Sequence, residues 1–311
     1  MSRELKVFAG RSNPDLAEGI CQSLGLAPGE VEFVRFSNEN IKAKICENVR
    51  GCDVFFIQTS CPPVSEHLME LLITLDALKY ASAGRITAVL PYYPYALADS
   101  KDEPRISVAG RLMADLVAEA GADRILTMTL HSPQIAGFSR IPMDQLSGVP
   151  TICQHFSTQD VTNCVAAATD ISRAKVTEGY ARRLGLPLVV LDKRSGEGET
   201  RVHGVIGDVA GRDVILFDDE VITGDSLVIG AEALQSRGAT RVRAGCVHGG
   251  LAPGSLQRIE DSVLGSLVVT DTIPQDVRAP SSKLTVCSVA EHFGNAIQAI
   301  HDETSISALF S

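Results

Sequence analysis

The chain has 311 residues, 45% of them hydrophobic, and a net charge of −10 at pH 7. That length predicts two domains, and the apolar content is enough for a sizeable core and excludes general disorder. The negative balance weighs against nucleic acid as a main partner, since binding a phosphate backbone needs a basic surface, but it leaves room for a small anion held by a local site.

Short apolar runs alternate with longer helical patterns along the chain. In order, the reading gives strands at VEFVRF (31–36) and CDVFFIQ (52–58), a helix in SEHLMELLITLDALKYASAG (65–84), then a strand at RITAVLP (85–91). A helix in ISVAGRLMADLVAEAGA (106–122) and a strand at RILTMTL (124–130) follow. The later part repeats the plan with strands CVAAAT (164–169), PLVVLD (187–192), DVILFDD (213–219), RVRAGCVHG (241–249) and SLVVTDT (266–272). Between them lie helical patterns in SRAKVTEGYARRLG (172–185) and SLVIGAEALQSRGA (226–239). The near-continuous apolar strands fit a buried parallel sheet, and the helices carry apolar positions at three- and four-residue spacing. The fold class is α/β, with mainly parallel central sheets flanked by helices.

The segments AEAGADRILTMTLHS (118–132) and LQSRGATRVRAGCVHGG (234–250) read as counterparts, each a helix, Gly-Ala, a basic strand and a histidine. A duplicated domain follows, with 1–147 and 148–311 as its halves and PMDQLSGVP (142–150) as the boundary segment. No stretch holds 18 apolar residues without charge, so no membrane span is expected, and the N-terminal segment lacks the apolar region of a secretory signal. The eight cysteines form no CxxC pair, which argues against a zinc site or a disulfide framework and predicts a reduced cytoplasmic setting.

The most informative stretch is VILFDDEVITGDSL (214–227), where an apolar strand runs into Asp218 and Asp219 and then into Thr223, Gly224, Asp225 and Ser226. Ligands of open α/β sheets bind beyond the carboxyl ends of strands. Backbone N–H groups at the following helix start, with two hydroxyls, make a phosphate cradle, and two acids before it suit ribose hydroxyls or a magnesium ion. A plain turn with Ser226 as helix cap uses the same residue types.

This two-acid, Thr-Gly pattern is similar to the phosphoribosyl pyrophosphate loop of type I phosphoribosyltransferases. FSNENIKAKICENVRGCDVFFIQ (36–58), LPYYPYALADSKDEPRIS (90–107), GADRILTMTLHSPQIAGF (121–138), LDKRSGEGE (191–199), VVTDTIP (268–274) and ETSISALF (303–310) narrow it. In order and over nearly the whole length, they resemble the ribose-phosphate pyrophosphokinase family. The resemblance implies two tandem phosphoribosyltransferase-like domains, an ATP side in 1–147 and a ribose 5-phosphate side in 148–311. It implies transfer of the diphosphoryl group of ATP to the 1-hydroxyl of ribose 5-phosphate, giving phosphoribosyl pyrophosphate and AMP for nucleotide biosynthesis. Magnesium as Mg2+ and a homo-oligomer, from dimer to hexamer, come with it.

Residue by residue, the match places ATP at Phe36, Asn38, Lys101, Asp102 and His131, and magnesium at His131 and Asp170. It places the ribose 5-phosphate at Asp218, Asp219, Thr223, Gly224, Asp225 and Ser226. Lys193 and Arg194, with His131, carry catalysis; the two cations open a loop that closes over the transferring phosphates. Each also has a plainer use: His131 as a structural strand-end residue, Asp170 as a helix cap, and the loop after Arg194 as a solvated surface loop.

Departures from the family pattern cluster in the site. Glu39 and Asn40 stand for Gly and Glu, Leu97-Ala98 for Arg-Gln, Thr129 for Asp, Ser195 for Arg, Ile222 for Asp and Asp225 for Gly. A carboxylate at 225 repels a phosphate dianion unless it points away or binds a cation. Three readings follow: a working pyrophosphokinase, an enzyme of the same chemistry with a changed acceptor, and a catalytically weak paralogue that binds nucleotide or co-assembles with an active subunit.

Overall fold

The computed structural model describes residues 3–196, 199–275 and 281–306. Its elements begin with β1 (Leu5–Ala9), α1 (Pro14–Ser23), β2 (Val31–Arg35), β3 (Ile41–Ile45), β4 (Asp53–Ile57), α2 (Val64–Tyr80) and β5 (Arg85–Leu90). They continue with α3 (Ala109–Ala120), β6 (Arg124–Met128), β7 (Met143–Leu146), α4 (Val149–Ser157), β8 (Cys164–Ala168), α5 (Ala174–Leu184), β9 (Leu188–Gly196) and β10 (Glu199–Ile206). The last are β11 (Asp213–Val221), α6 (Asp225–Ser236), β12 (Arg241–Gly249), α7 (Ser255–Glu260), β13 (Leu267–Thr270), β14 (Leu284–Cys287) and α8 (Ala290–His301).

The described residues fall into two compact units, Met1–Ser147 with Thr272–Pro274 and Val289–Ser311, and Gly148–Asp271 with Gln275–Ser288. In the first unit, β1-β4-β5-β6-β7 form an all-parallel sheet and β2-β3 a separate antiparallel hairpin. DVFFI of β4 is buried at every position, because helices cover both faces and no alternation with polar residues is needed. Phe8, Val54, Phe56, Leu71, Leu75, Ile86 and Val117 belong to one core of this unit. Helix α1 starts where Asn13 accepts the Leu16 N–H and Pro14 presets the first turn. Its Gly19 and the Gly294 of α8 let the two helices approach closely: a Cβ at Gly294 would lie 1.9 Å from Ser23 Oγ. Helix α8 thus belongs with the sheet of the first unit, although it lies in the half expected to form the second domain.

The second unit holds a seven-stranded sheet, β10-β9-β8-β11-β12-β13-β14, parallel throughout except at β9–β10. Strand order 8-11-12-13-14 matches 1-4-5-6-7, with the hairpin β9-β10 at the place of β2-β3 in chain order. That shared plan is the two-domain α/β fold expected. The two segments chosen as counterparts are offset, however: β6 is the fourth strand of its series and β12 the third. Resemblance of a helix, Gly-Ala and a basic strand reflects the local helix-to-strand turn, which recurs at several places.

Strand PLVVLD extends further than its apolar run. Antiparallel pairing with β10 carries β9 through Gly196, with Lys193 opposite Val202 and Arg194 opposite Arg201. Lys193 therefore sits within a strand instead of opening a loop.

Candidate active site

At the carboxyl end of the second unit's sheet, four neighbouring elements bring charged groups together. Strand β11 delivers Asp218 and Asp219, β8 runs out into Thr169 and Asp170 just beyond its last residue, β9 supplies Lys193, and α6 begins beside Ser226. The backbone N–H of Asp219 donates to Asp218 Oδ1 at 2.9 Å, and Thr169 Oγ1 donates to Asp218 Oδ2 at 2.8 Å. Arg173 enters from the turn after Asp170, with its guanidinium 3.1 Å from Asp219 and 3.8 Å from Asp218. Burial, then the side-chain hydrogen bond and the charge of the Asp219 carboxyl, push Asp218 up to about 7, against the opposing pull of Thr169 and Arg173. The pair therefore holds a proton more readily than an ordinary carboxylate does.

Asp170 divides its two oxygens. Oδ1 accepts from the Arg173 N–H at 3.1 Å and from Ser172 Oγ at 2.5 Å, capping the short turn that leads into α5. Oδ2 faces Lys193 Nζ at 3.9 Å, and the same ammonium donates to Ser226 Oγ at 3.2 Å. A cap and a charged site role thus fit one side chain. Of Arg194 and Ser195 the backbone alone is described; their side chains lie outside the described part of the structure.

The phosphate-loop candidate is built around Gly224, whose φ of +80° belongs to the left-handed region that glycine favours. Gly224 caps α6, so Asp225 is already the first helical residue and needs no special backbone. Its carboxylate forms an ion pair with Arg258 at 3.1 Å and is half exposed. Thr223 Oγ1 accepts from the Asp225 N–H at 3.4 Å, and Ile222 is exposed. The carboxylate objection of the sequence is met by a cation from α7. Ser226, expected as a possible cap, lies one residue inside the helix.

The ATP-side candidates lie in the first unit. Phe36 and Asn38 occupy the exposed tip of the β2–β3 hairpin, a turn closed by Phe36 N–H to Asn40 O at 2.9 Å and Glu39 N–H to Phe36 O at 2.9 Å. Lys101 and Asp102 are exposed, and His131 is half-buried just past β6. Asp99, missed in the sequence, feels His131 electrostatically: burial raises it, but hydrogen bonding to Ser132 and Ser100 and the influence of His131 outweigh that and lower its pKa. Glu39, Tyr95, Arg105 and Thr129 have φ of +67°, +55°, +70° and +40°, four of the six described non-glycine residues with positive φ. Such backbone costs energy and clusters where loops are shaped for ligands. Arg173 was also missed; its only sequence signal was a cation within reach of a helix start that follows an acid.

Comparison with known proteins assigns this arrangement to a family. The N-terminal domain of ribose phosphate pyrophosphokinase matches residues 5–121, and the phosphoribosyl synthetase-associated domain matches 199–311. A ribose-phosphate pyrophosphokinase of Clostridium acetobutylicum is 43% identical over 311 residues, covering 99% of this chain and 98% of the relative. The chain belongs to the ribose-phosphate pyrophosphokinase family. A second pyrophosphokinase, from Deinococcus radiodurans, is 44% identical over 99% of this chain and 98% of its own. The crystal structure of phosphoribosylpyrophosphate synthetase from Mycobacterium smegmatis superposes with a TM-score of 0.92 at 36% identity, over 97% of this chain and 100% of that one. The family's two-domain α/β fold is thus the fold of this chain. Among the described residues no helix is long and apolar enough to cross a membrane.

Proposed function

We propose that the protein is a ribose-phosphate pyrophosphokinase, which moves the diphosphoryl group of ATP to the 1-hydroxyl of ribose 5-phosphate and releases AMP. The observation that carries the reading is the convergence of Asp170, Lys193, Asp218, Asp219 and Ser226 at the carboxyl end of one sheet, in a chain of this family. Asp218 and Asp219 hold the ribose hydroxyls, whose O–H groups donate to the carboxylates. Thr223, Gly224, Asp225 and Ser226, through hydroxyls and the first N–H groups of α6, hold the 5-phosphate. Lys193 brings its ammonium to the charge that develops on the transferring group. Arg194 joins it as a second cation.

Phe36 stacks on the adenine, Asn38 donates to its edge, and Lys101, Asp102 and His131 complete the nucleotide side. We take the unit built on residues 1–147, joined by α8, as the ATP domain and the unit built on the rest of 148–311 as the ribose 5-phosphate domain. Magnesium fits the donor set: Mg2+ is usually held by one or two carboxylates together with substrate phosphates, and Asp170 keeps one oxygen clear of its capping bonds. Among the described residues no group of three or more His, Cys, Asp or Glu forms a closed cage. In this reading His131 would serve magnesium on the ATP side and Asp170 on the ribose 5-phosphate side, where it would neutralise charge on the transferring phosphates. The free thiols of all eight cysteines suit a reduced cytoplasm. The assembly expected is a homo-oligomer, dimer to hexamer.

³¹P NMR of the purified protein with ATP, magnesium and ribose 5-phosphate tests the reading. Equal amounts of AMP and phosphoribosyl pyrophosphate support it. AMP without that product shows a changed acceptor, and neither product at enzyme concentrations near that of substrate rejects it.

A further inference from the structure

The cation that meets Asp225 does two things at once. A single nitrogen of Arg258, Nη1, donates to the carbonyl oxygen of Thr223 at 2.7 Å and lies 3.1 Å from Asp225 Oδ1. It therefore spans Gly224 from both sides. The same segment fastens the loop elsewhere. The Ala252 N–H donates to the Ile222 carbonyl at 2.9 Å, and a Cβ placed on Gly224 would come within 3.2 Å of the Ile259 side chain. Helix α7 and the chain before it are thus the bed on which residues 222–225 lie.

The electrostatics of that loop are unusual for an anion site. Asp225 in the first turn of α6 is favourable for the helix, because its N-terminus carries partial positive charge. A phosphate dianion at the same N-terminus would meet a second negative charge, at a cost that grows as water is excluded. Arg258 cancels that charge without leaving the loop. We propose that Arg258 is a positioning residue for substrate phosphate: it neutralises Asp225 and holds Thr223, so that a loop containing an acid still accepts a phosphate ester. The proposal rests on reading residues 222–226 as the ribose 5-phosphate loop.

The alternatives have different consequences. If Arg258 only braces the Thr223 carbonyl, or itself contacts the phosphate, removing the Asp225 charge does nothing for its loss. If Arg258 acts by cancelling that charge, removing both restores binding. The experiment is a double-mutant cycle of Arg258→Ala and Asp225→Asn. It reads the KM for ribose 5-phosphate at saturating ATP and magnesium, and calorimetric binding of ribose 5-phosphate, at low and high salt. Arg258→Ala is expected to weaken phosphate binding by about tenfold at low salt and less at high salt, with kcat within about twofold. Asp225→Asn removes the carboxylate charge and keeps the backbone N–H through which residue 225 serves the loop, so alone it is expected to bind ribose 5-phosphate more tightly than the parent, and the double variant to recover most of the loss. Unchanged binding in Arg258→Ala, or a double variant as weak as Arg258→Ala, overturns the proposal. A parent protein that neither binds nor turns over ribose 5-phosphate overturns the reading beneath it, and this inference with it.

Discussion

Asp219 donates its backbone N–H to the side chain of Asp218, 2.9 Å away, so the first acid of the pair is folded back onto the strand end that carries it. Burial first, then the side-chain hydrogen bond and charge of the Asp219 carboxyl, raise Asp218 to about 7 from 3.8; the N–H itself favours the carboxylate and does not cause the rise. Between about pH 4 and 7 the folded protein therefore binds a proton there more readily than the unfolded chain.

The sign of the consequence for stability is fixed by linkage. The contribution of Asp218 is fully present below about pH 4, is lost as pH rises through about 7, and is level beyond. Asp218→Asn mimics the protonated acid and can still accept from Thr169. It should be more stable than the parent by on the order of 3 kcal/mol at pH 8, and about equal to it at pH 4. Urea unfolding at pH 4, 6 and 8 checks this; a difference that does not change with pH sinks the explanation.

Arg173 is the counter-ion of this pair, and its guanidinium and the Asp219 carboxylate are both largely buried. Removing one partner of such a pair leaves a charge with poor solvation. Arg173→Met should cost about 2–3 kcal/mol, somewhat below the fully buried case because Arg173 keeps some contact with water. Arg173→Met/Asp219→Asn should regain more than half of that. Denaturation midpoints of the three variants decide it, and a double variant weaker than Arg173→Met alone would show that Arg173 matters for packing and not for charge.

Much of this was legible in the sequence. The uninterrupted apolar runs DVFFI, RITAVL, CVAAA and DVILF became central strands, because period and composition alone demand burial on both faces. The edge strands were not seen: MDQL and LTVC are only four residues long and pair on one side, so their own residues carry little pattern. IKAKI of β3 alternates apolar and charged residues, the pattern of a half-buried strand, yet it is absent from the strands expected from the sequence. In the site, Asp218, Asp219 and Ser226 were legible as a strand end meeting a helix start. Arg173, Asp99 and Arg258 were not, because each acts on a group far along the chain or across a turn, and local spacing does not encode that distance. The cation that meets Asp225 is hidden for the same reason: it lies 33 residues away, on another helix.

Lys193 is held between Asp170 and Ser226, so its ammonium is oriented before any substrate arrives. A preorganised cation that meets charge only as the transition state forms acts on kcat more than on KM. Lys193→Ala should lower kcat by roughly 10²–10³ and change the ribose 5-phosphate KM by less than about threefold. Steady-state kinetics with AMP release as the readout measure both. A KM that rises as steeply as kcat falls would make Lys193 a substrate-binding residue.

Glu39 offers a test of backbone strain away from the acidic site. It sits at the tip of the β2–β3 hairpin with φ of +67°, where a residue with a Cβ is disfavoured by roughly 1–2 kcal/mol. What opposes this is small. Its ion pair with Arg35, at 3.3 Å, joins two well-exposed side chains and contributes little. Glycine there relieves the strain but also loosens the unfolded chain, which offsets part of the gain. Glu39→Gly should therefore stabilise the protein by about 0.5–1 kcal/mol, while Glu39→Ala, which loses the ion pair and keeps the strain, should be neutral or slightly destabilising. Thermal unfolding of both variants separates the two terms. If Glu39→Ala gains as much as Glu39→Gly, the backbone at this turn is not strained, and the tip that carries Phe36 and Asn38 is held by side-chain contacts instead.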